Sequence, residues 1–291
     1  MERPYVLITS ARNEARYIAK TIESVLEQTV LPTRWIIVSD GSTDNTDTIV
    51  DRHCQACPFL TLVRRSADTQ RSYRSKVQAI WEGYEKLRSA DYEFIGILDA
   101  DVSFEPNYYE LVLKEFDANP KLGIGGGVKV EEGELFSSAP GSVERFVPGS
   151  IQLFRRECYE EIGGLWALKY GGEDTAALEM AMMRGWEVRS FPNVVVRHHR
   201  RTGTEGNGIF LARLRHGLED YSVGYHPLFE ASKCVRRVAE PPYLLGSLMR
   251  MSGYLWGALT KQERELPAEF IKHLRTQQVR RLLGVLTNLE A

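Results

Sequence analysis

The 291-residue chain is poor in cysteine, with only Cys54, Cys57, Cys158 and Cys234. Cys54-Gln-Ala-Cys57 has no second CxxC to complete a zinc or redox site, so ordinary reduced thiols are expected. Charge of one sign is also lacking. The 37 Lys and Arg against 39 Asp and Glu give a net charge of −2, which argues against a general nucleic-acid binder. No uninterrupted apolar run reaches the roughly 20 residues of a membrane span. Met1-Glu2-Arg3-Pro4 leads straight into a strand-like segment without the shape of a signal peptide, and the expected location is cytoplasmic. Thr9 to Glu14 contains no glycine, so the loop after the first strand offers neither the GxGxxG of a dinucleotide-dependent oxidoreductase nor the glycine-rich phosphate loop of a sugar nucleotidyltransferase. Internal repeats and low-complexity tracts are missing too. What remains, at 43% apolar and 26% charged residues, is an ordinary soluble composition with enough length for one large domain and a substantial extension.

The first half alternates short apolar runs with helical periodicity. Tyr5–Ile8, Trp35–Val38, Leu60–Val63 and Phe94–Leu98 read as strands, and helices are expected over Ile18–Leu26, about Asn45–Cys54, and Lys76–Leu87. Such alternation implies right-handed crossovers and a largely parallel sheet, with ligands at the carboxyl ends of its strands. Polar residues gather at those ends: Thr9 to Glu14, Asp40 to Asp44, and Asp99 to Asp101. The glycines of Gly123–Gly127 mark either a distorted strand or a backbone that approaches a ligand, the first being favoured. Glu187–Phe191 and Val194–Arg197 read as two closing strands. From about Thr202 the pattern is helical, with Pro241-Pro242 and Pro267 at helix starts.

Asp99-Ala100-Asp101 follows a strand, and in an extended segment residues i and i+2 point to the same side. Two convergent carboxylates repel unless a cation offsets them, and a hard divalent ion with oxygen ligands does so while gripping a diphosphate. In Ser39-Asp40-Gly41-Ser42-Thr43-Asp44, Asp40 is placed to accept a hydrogen bond from a base N–H, whereas Asp44 or Ser42 suits a helix cap. Arg71, Arg74 and Lys76 lie within reach of a diphosphate, Lys76 being preferred.

Ala11-Arg12-Asn13-Glu14, the Asp40 loop, Asp99-Ala100-Asp101 and Gly172-Glu173-Asp174-Thr175 together resemble the successive motifs of family-2 glycosyltransferases, in that family's order over roughly the first 200 residues. The resemblance implies an α/β GT-A fold, with a Rossmann-like mixed central sheet flanked by helices and a mainly helical C-terminal extension. The catalytic domain would cover 1–201, with a nucleotide-binding half over about 1–101 and an acceptor half over about 102–201, and the extension would cover 202–291. It implies inverting transfer from a nucleoside-diphosphate sugar, a UDP-sugar being favoured, to a glycan or lipid-linked acceptor in polysaccharide assembly. Thr9, Ala11, Glu14, Asp40, Lys76, Asp99 and Ala100 would contact the donor. Asp101, Asp99 and His198 would hold Mn2+ or Mg2+, the imidazole tilting the choice to manganese. Ser39 stands where the family often has a second aspartate, and Arg12 where an aromatic residue is common.

The family pattern makes Asp174 the base that removes the acceptor's hydroxyl proton, with Glu173 as second choice; the position of Asp174 before a helical stretch also suits an N-cap. His198 and His199 follow a strand and should point to opposite faces. Arg197, Arg200, Arg201, Arg213 and Arg215, opposed only by Glu205, form either a loop over the diphosphate or a solvated basic face. A non-catalytic sugar-binding module would not need both a metal pair and a separate acidic base. In the tail, Leu245, Leu248, Met249, Leu255, Trp256 and Leu259 recur at helical spacing opposite Gly246, Arg250, Gly253 and Gly257. This stripe would either lie in a membrane interface, with Trp256 and Tyr254 at headgroup level helped by Arg236 and Arg237, or pack on the catalytic domain or the second subunit of a homodimer.

Overall fold

A computed structural model of the chain describes residues 3–66, 73–131, 134–135, 145–200 and 208–287. The first four strands are β1 (Tyr5–Ala11), β2 (Arg34–Asp40), β3 (Leu60–Arg65) and β4 (Phe94–Leu98), joined by α1 (Ile18–Leu26), α2 (Thr46–Ala56) and α3 (Tyr73–Leu87). They pair in parallel in the order β3-β2-β1-β4. Tyr5–Ile8, Trp35–Val38 and Phe94–Leu98 are buried throughout, as expected of parallel strands covered on both faces. The parallel pattern ends there. β5 (Val102–Phe104), α4 (Tyr108–Ala118), β6 (Leu122–Glu131), β7 (Glu134–Leu135), β8 (Ile151–Arg155), α5 (Arg156–Glu161), α6 (Glu173–Met183) and β9 (Glu187–His198) follow. β8 runs antiparallel between β4 and β6, β6 pairs in parallel with β9, and β9 is antiparallel to β5, so the sheet is mixed.

The two expected closing strands are one, β9. Its register against β6 slips between Gly127 and Val128, where Gly127 faces Phe191 but Val128 faces Val195. Pro192 lies in that slip and has no N–H to donate to the ladder, which is why the strand reads as interrupted. The β6 glycines serve packing: a Cβ at Gly126 would sit 2.5 Å from the Ile151 carbonyl oxygen, and one at Gly127 would collide with that of Val194.

The chain forms two compact units, Met1–Ala167 with Glu173–Arg201, and Leu168–Gly172 with Thr202–Ala291. The second contains α7 (Gly208–Val223), α8 (Pro227–Arg236), α9 (Tyr243–Leu259) and α10 (Ala268–Thr287). Segment 168–172 joins it through Lys169 N–H to Glu265, 2.8 Å, and the Tyr170 hydroxyl to Gln262, 2.9 Å. α7 and α9 meet along small residues. A Cβ on Gly217 would strike the Arg250 carbonyl, one on Gly253 the Leu214 carbonyl, and one on Gly257 the Tyr221 ring. Beneath this seam Arg250 pairs with both Asp220 and Glu230, and Lys233 lies 2.9 Å from Asp220. Burial, and then the Asp220 charge, pushes the Glu230 carboxyl up to about 7 against the pull of Lys233 and Arg250.

α9 therefore packs by its glycines, Ser247 and its single charge, Arg250, and turns its leucines outward. Leu244, Leu245, Leu248, Leu255, Trp256 and Leu259 are 50 to 80% exposed. Tyr254, expected beside Trp256 at a membrane surface, is buried and donates to the Tyr225 carbonyl. Among the described residues no helix is long and apolar enough to cross a membrane. The four thiols are unpaired, and burial pushes Cys158 up to about 12 and Cys234 up to about 11.

The seam predicts that Gly253→Ala lowers unfolding stability by about 2 kcal/mol through backbone collision. Gly284→Ala, where a Cβ meets nothing within 4 Å, should be neutral or stabilise α10 by up to about 1 kcal/mol. Urea denaturation of the two variants measures the difference, and equal midpoints would show that the seam yields without cost.

Candidate active site

The polar loops at the carboxyl edge of the sheet are tied to one another. Asn13 takes a left-handed conformation, φ 57°, and its side-chain oxygen accepts from the Thr43 N–H at 2.8 Å. The Asn13 N–H donates to the Ser42 hydroxyl at 3.2 Å, and the Glu14 N–H to that of Thr46 at 2.7 Å. Asp44 accepts from the N–H groups of Thr46, 2.9 Å, and Ala15, 3.1 Å, so its carboxylate ties the start of α2 to the first loop. Burial opposes its ionisation, but these hydrogen bonds prevail and lower its pKa.

On this floor the buried Asp40 ends β2. Its carboxylate accepts from Arg65 at 2.8 Å and lies 3.8 Å from the Arg12 guanidinium. Arg65 ends β3, directly opposite Asp40 in the parallel register, and is braced by Glu82 at 3.1 Å and the Ser75 carbonyl at 3.1 Å. Sequence motifs did not point to Arg65; the register of the β2–β3 pair is the signal that finds it.

Asp99 and Asp101 converge in a turn between β4 and β5, and not in the extended segment the i, i+2 spacing suggested. The turn is held by the Asp99 N–H on the Ser150 carbonyl, 3.0 Å, and the His199 N–H on the Asp101 carbonyl, 2.9 Å. Ligand atoms of Asp99, Asp101 and His198 all lie within 4.8 Å of one another. The His198 Nε2 is 3.4 Å from Asp101, and its buried Nδ1 has no hydrogen-bond partner, with Glu131 3.6 Å away. His199 points elsewhere: its ring stacks on Tyr17 at 6.0 Å and its Nε2 meets the Ser103 hydroxyl at 2.9 Å. Two carboxylates and an imidazole, one ring nitrogen unsatisfied, are a donor set that fits Mn2+ or Mg2+.

Burial opposes the charge on Asp101, but His198, Arg200 and Lys76 outweigh it and hold its carboxyl below the usual range. Burial likewise works against the His198 imidazolium, and Asp101 outweighs it, so His198 is raised above its ordinary value. His199 is lowered, by burial first and then by Lys20.

Lys76 reaches Asp99 at 3.0 Å and Glu173 at 3.7 Å, joining α6 to the DxD turn. Burial opposes its charge, but Asp99, Glu173 and Asp174 overcome that and raise its pKa further. α6 begins at Glu173, so Asp174 lies in its first turn and is not the N-cap; its carboxylate accepts from the Thr175 N–H at 2.6 Å. A Cβ on Gly149 would lie 2.7 Å from the Asp174 side chain, so only glycine fits beside it. Arg200 pairs with Glu14 and, at 3.4 Å, with Asp101. Arg197 reaches Glu105 at 3.9 Å, while Arg213 and Arg215 belong to α7 of the second unit. Arg71, Arg201 and Glu205 lie outside the described residues.

Three further residues expected at the donor, Thr9, Ala11 and Ala100, turn their side chains into the protein. Thr9 is 0% exposed, Ala11 1% and Ala100 4%. The Thr9 hydroxyl accepts from the Trp35 indole at 3.0 Å, and both alanines belong to the apolar core.

A family model described as Glycosyl transferase family 2 matches residues 6–167. The poly-beta-1,6-N-acetyl-D-glucosamine synthase of Staphylococcus epidermidis is 25% identical over 202 residues, covering 63% of this chain and 47% of that protein. The chondroitin synthase of Pasteurella multocida is 33% identical over 106 residues, 36% of this chain and 10% of that protein. The chain thus spans about half or less of the length of these curated relatives. Among solved structures, the mannosyltransferase PcManGT of Pyrobaculum calidifontis, in complex with GDP-Man and Mn2+, superposes with a TM-score of 0.58 at 19% identity, covering 99% of this chain and 87% of that one. S. aureus TarS 1-349 with UDP-GlcNAc gives 0.54 at 13%, covering 93% and 78%. These likenesses show the same fold, a mixed sheet flanked by helices and followed by C-terminal helices.

The Asp101–His198 pair fixes a pH dependence. Because the His198 pKa is raised above 6.5, the pair's contribution to stability is fully present below that value and is lost as pH rises through the folded pKa. Metal binding runs the other way, since the imidazolium must lose its proton to become a ligand. Titration with Mn2+ should show affinity falling as pH drops through the His198 pKa. His198→Ala should remove this dependence and weaken binding about tenfold or more, while His199→Ala keeps both. The reverse ranking of the two variants would assign the ligand to His199.

Proposed function

The chain belongs to glycosyl transferase family 2, and on that premise we propose that it transfers a sugar, with inversion, from a nucleoside-diphosphate sugar to an acceptor hydroxyl. The observation that carries this reading is the convergence of Asp99, Asp101 and His198 at the carboxyl edge of the sheet, linked through Lys76 to the start of α6. Asp40 and Glu14 bind the nucleoside from residues 1–101, and residues 102–201 supply the acceptor side. Asp99, Asp101 and His198 would hold Mn2+ or Mg2+, which would supply Lewis-acid stabilisation of the departing diphosphate's charge. Lys76 adds a fixed positive charge beside Asp99. The Asp174 carboxylate takes the proton of the acceptor hydroxyl as its oxygen bonds to the anomeric carbon, and the anomeric C–O bond breaks with its electron pair leaving on the diphosphate. Glu173, held by Lys76, is the less available base. A UDP-sugar is the favoured donor and a glycan or lipid-linked hydroxyl the acceptor, in polysaccharide assembly; the staphylococcal and Pasteurella relatives are named as polysaccharide synthases. Asp174→Asn keeps the shape and should lower turnover by about 10² to 10⁴ with donor affinity nearly unchanged. Wild-type turnover in that variant would remove Asp174 from the base role.

The 202–291 extension makes peripheral contact with the cytoplasmic face of a membrane, which suits a lipid-linked acceptor. The support is the outward apolar stripe of α9, spanning an arc of roughly 120° at about 100° per residue and free of charge. Between 202 and 291 there are 12 Lys and Arg against 9 Asp and Glu, a modest excess drawn to anionic lipid. A homodimer through the same stripe is the second reading; it would bring two basic units together. Full-length protein should float with phosphatidylserine vesicles at low salt, and a variant with Leu248, Leu255 and Trp256 changed to Ser should stay behind. Dimerisation without vesicle binding would favour the second reading.

A further inference from the structure

The bend that follows β9 returns a second group to the carboxylate that His198 meets. With the His199 N–H pinned to the Asp101 carbonyl and its ring turned to Tyr17, both His198 and Arg200 come back to Asp101. The Arg200 guanidinium bridges Asp101 and Glu14, which are only 7 and 8% exposed, and its carbon lies 5.7 Å over the Tyr17 ring. Buried carboxylates ionise at a cost unless a charge lies against them. Asp99 is provided for in the same way by Lys76 at 3.0 Å. Each aspartate of the DxD turn thus has its own internal cation.

We propose that Arg200 is the resident counter-ion of Asp101 in the metal-free site, exchanged for the divalent ion and then passed to the donor's diphosphate. The proposal rests on the metal reading given above. An Asp101 oxygen shared with a guanidinium is a poor ligand, and a divalent charge beside a guanidinium is repelled, so metal entry has to move Arg200 off Asp101. Arg200 keeps Glu14 and the face of Tyr17 when it moves, so it stays at the site. Its planar fork of N–H donors then matches phosphate oxygens, which a lysine at this position would meet only as a point charge. The consequence is reciprocal coupling: metal alone binds weakly because it must displace a cation, and the diphosphate binds well only after the metal has freed that cation.

Two titrations of the full-length protein test this, Mn2+ without nucleotide and UDP at saturating Mn2+. Arg200→Gln should tighten Mn2+ binding about tenfold and weaken UDP binding about tenfold, whereas Arg200→Lys, which keeps the charge without the fork, should change Mn2+ little and still weaken UDP. Thermal unfolding of both variants separates these effects from a role in folding alone, and if the Gln variant does not fold, weaker UDP binding by the Lys variant at unchanged Mn2+ affinity stands in its place. Mn2+ affinity unchanged or weaker in a folded Arg200→Gln protein, or UDP affinity unchanged in Arg200→Lys, overturns the exchange. If wild-type protein binds no Mn2+ even with UDP present, it is the metal reading itself that fails.

Discussion

Charge compensation of buried and half-buried carboxylates at one edge of the sheet is the constraint on which this structure turns. Asp40, Glu14, Asp99 and Asp101 are gathered at the ends of β1, β2 and β4, where parallel strands deliver their loops together. Water cannot fully solvate them, so the chain brings cations: Arg65 to Asp40, Lys76 to Asp99, Arg200 to Glu14 and Asp101. Each cation comes from a different segment, β3, α3 and the bend after β9. Segments far apart in sequence are thereby tied to one edge.

This constraint also explains which parts were legible in the sequence. The strand ends and their carboxylates could be read, because apolar runs followed by Asp-Gly or Asp-Ala-Asp are local patterns. Pairing between distant segments could not: Arg65 stands out only once β3 is registered on β2. Arg200 was visible only as one basic residue among several, because the bend at His199 and Arg200 that returns it to Asp101 follows the end of β9 and has no local pattern. Motif membership does not say which way a side chain faces: the Trp35 indole of the neighbouring β2 donates to the Thr9 hydroxyl, and the Ala11 and Ala100 methyls lie in the apolar core. Strand β9 read as two because Pro192 interrupts its pattern, and only the slip of register against β6 shows one strand.

In the second unit the usual relation of helix pattern to packing is inverted. Amphipathic helices ordinarily bury the apolar stripe, and α9 instead buries glycines and Arg250 because backbone contact with α7 needs small residues and Asp220 and Glu230 need a cation. Close helix approach and ion pairing decide the orientation, and the leucines are left outside. Periodicity located the stripe correctly, but could not show which side of the helix would be taken up by α7.

The central claim is that the DxD turn and His198 form one metal site at the edge of the parallel strands. Anomalous X-ray scattering from crystals grown with Mn2+ and UDP tests it directly. The account predicts a single strong manganese peak within bonding distance, about 2.0–2.3 Å, of Asp101 and His198, with Asp99 beside it. A manganese peak away from these residues, or none at saturating Mn2+ and UDP, would contradict it.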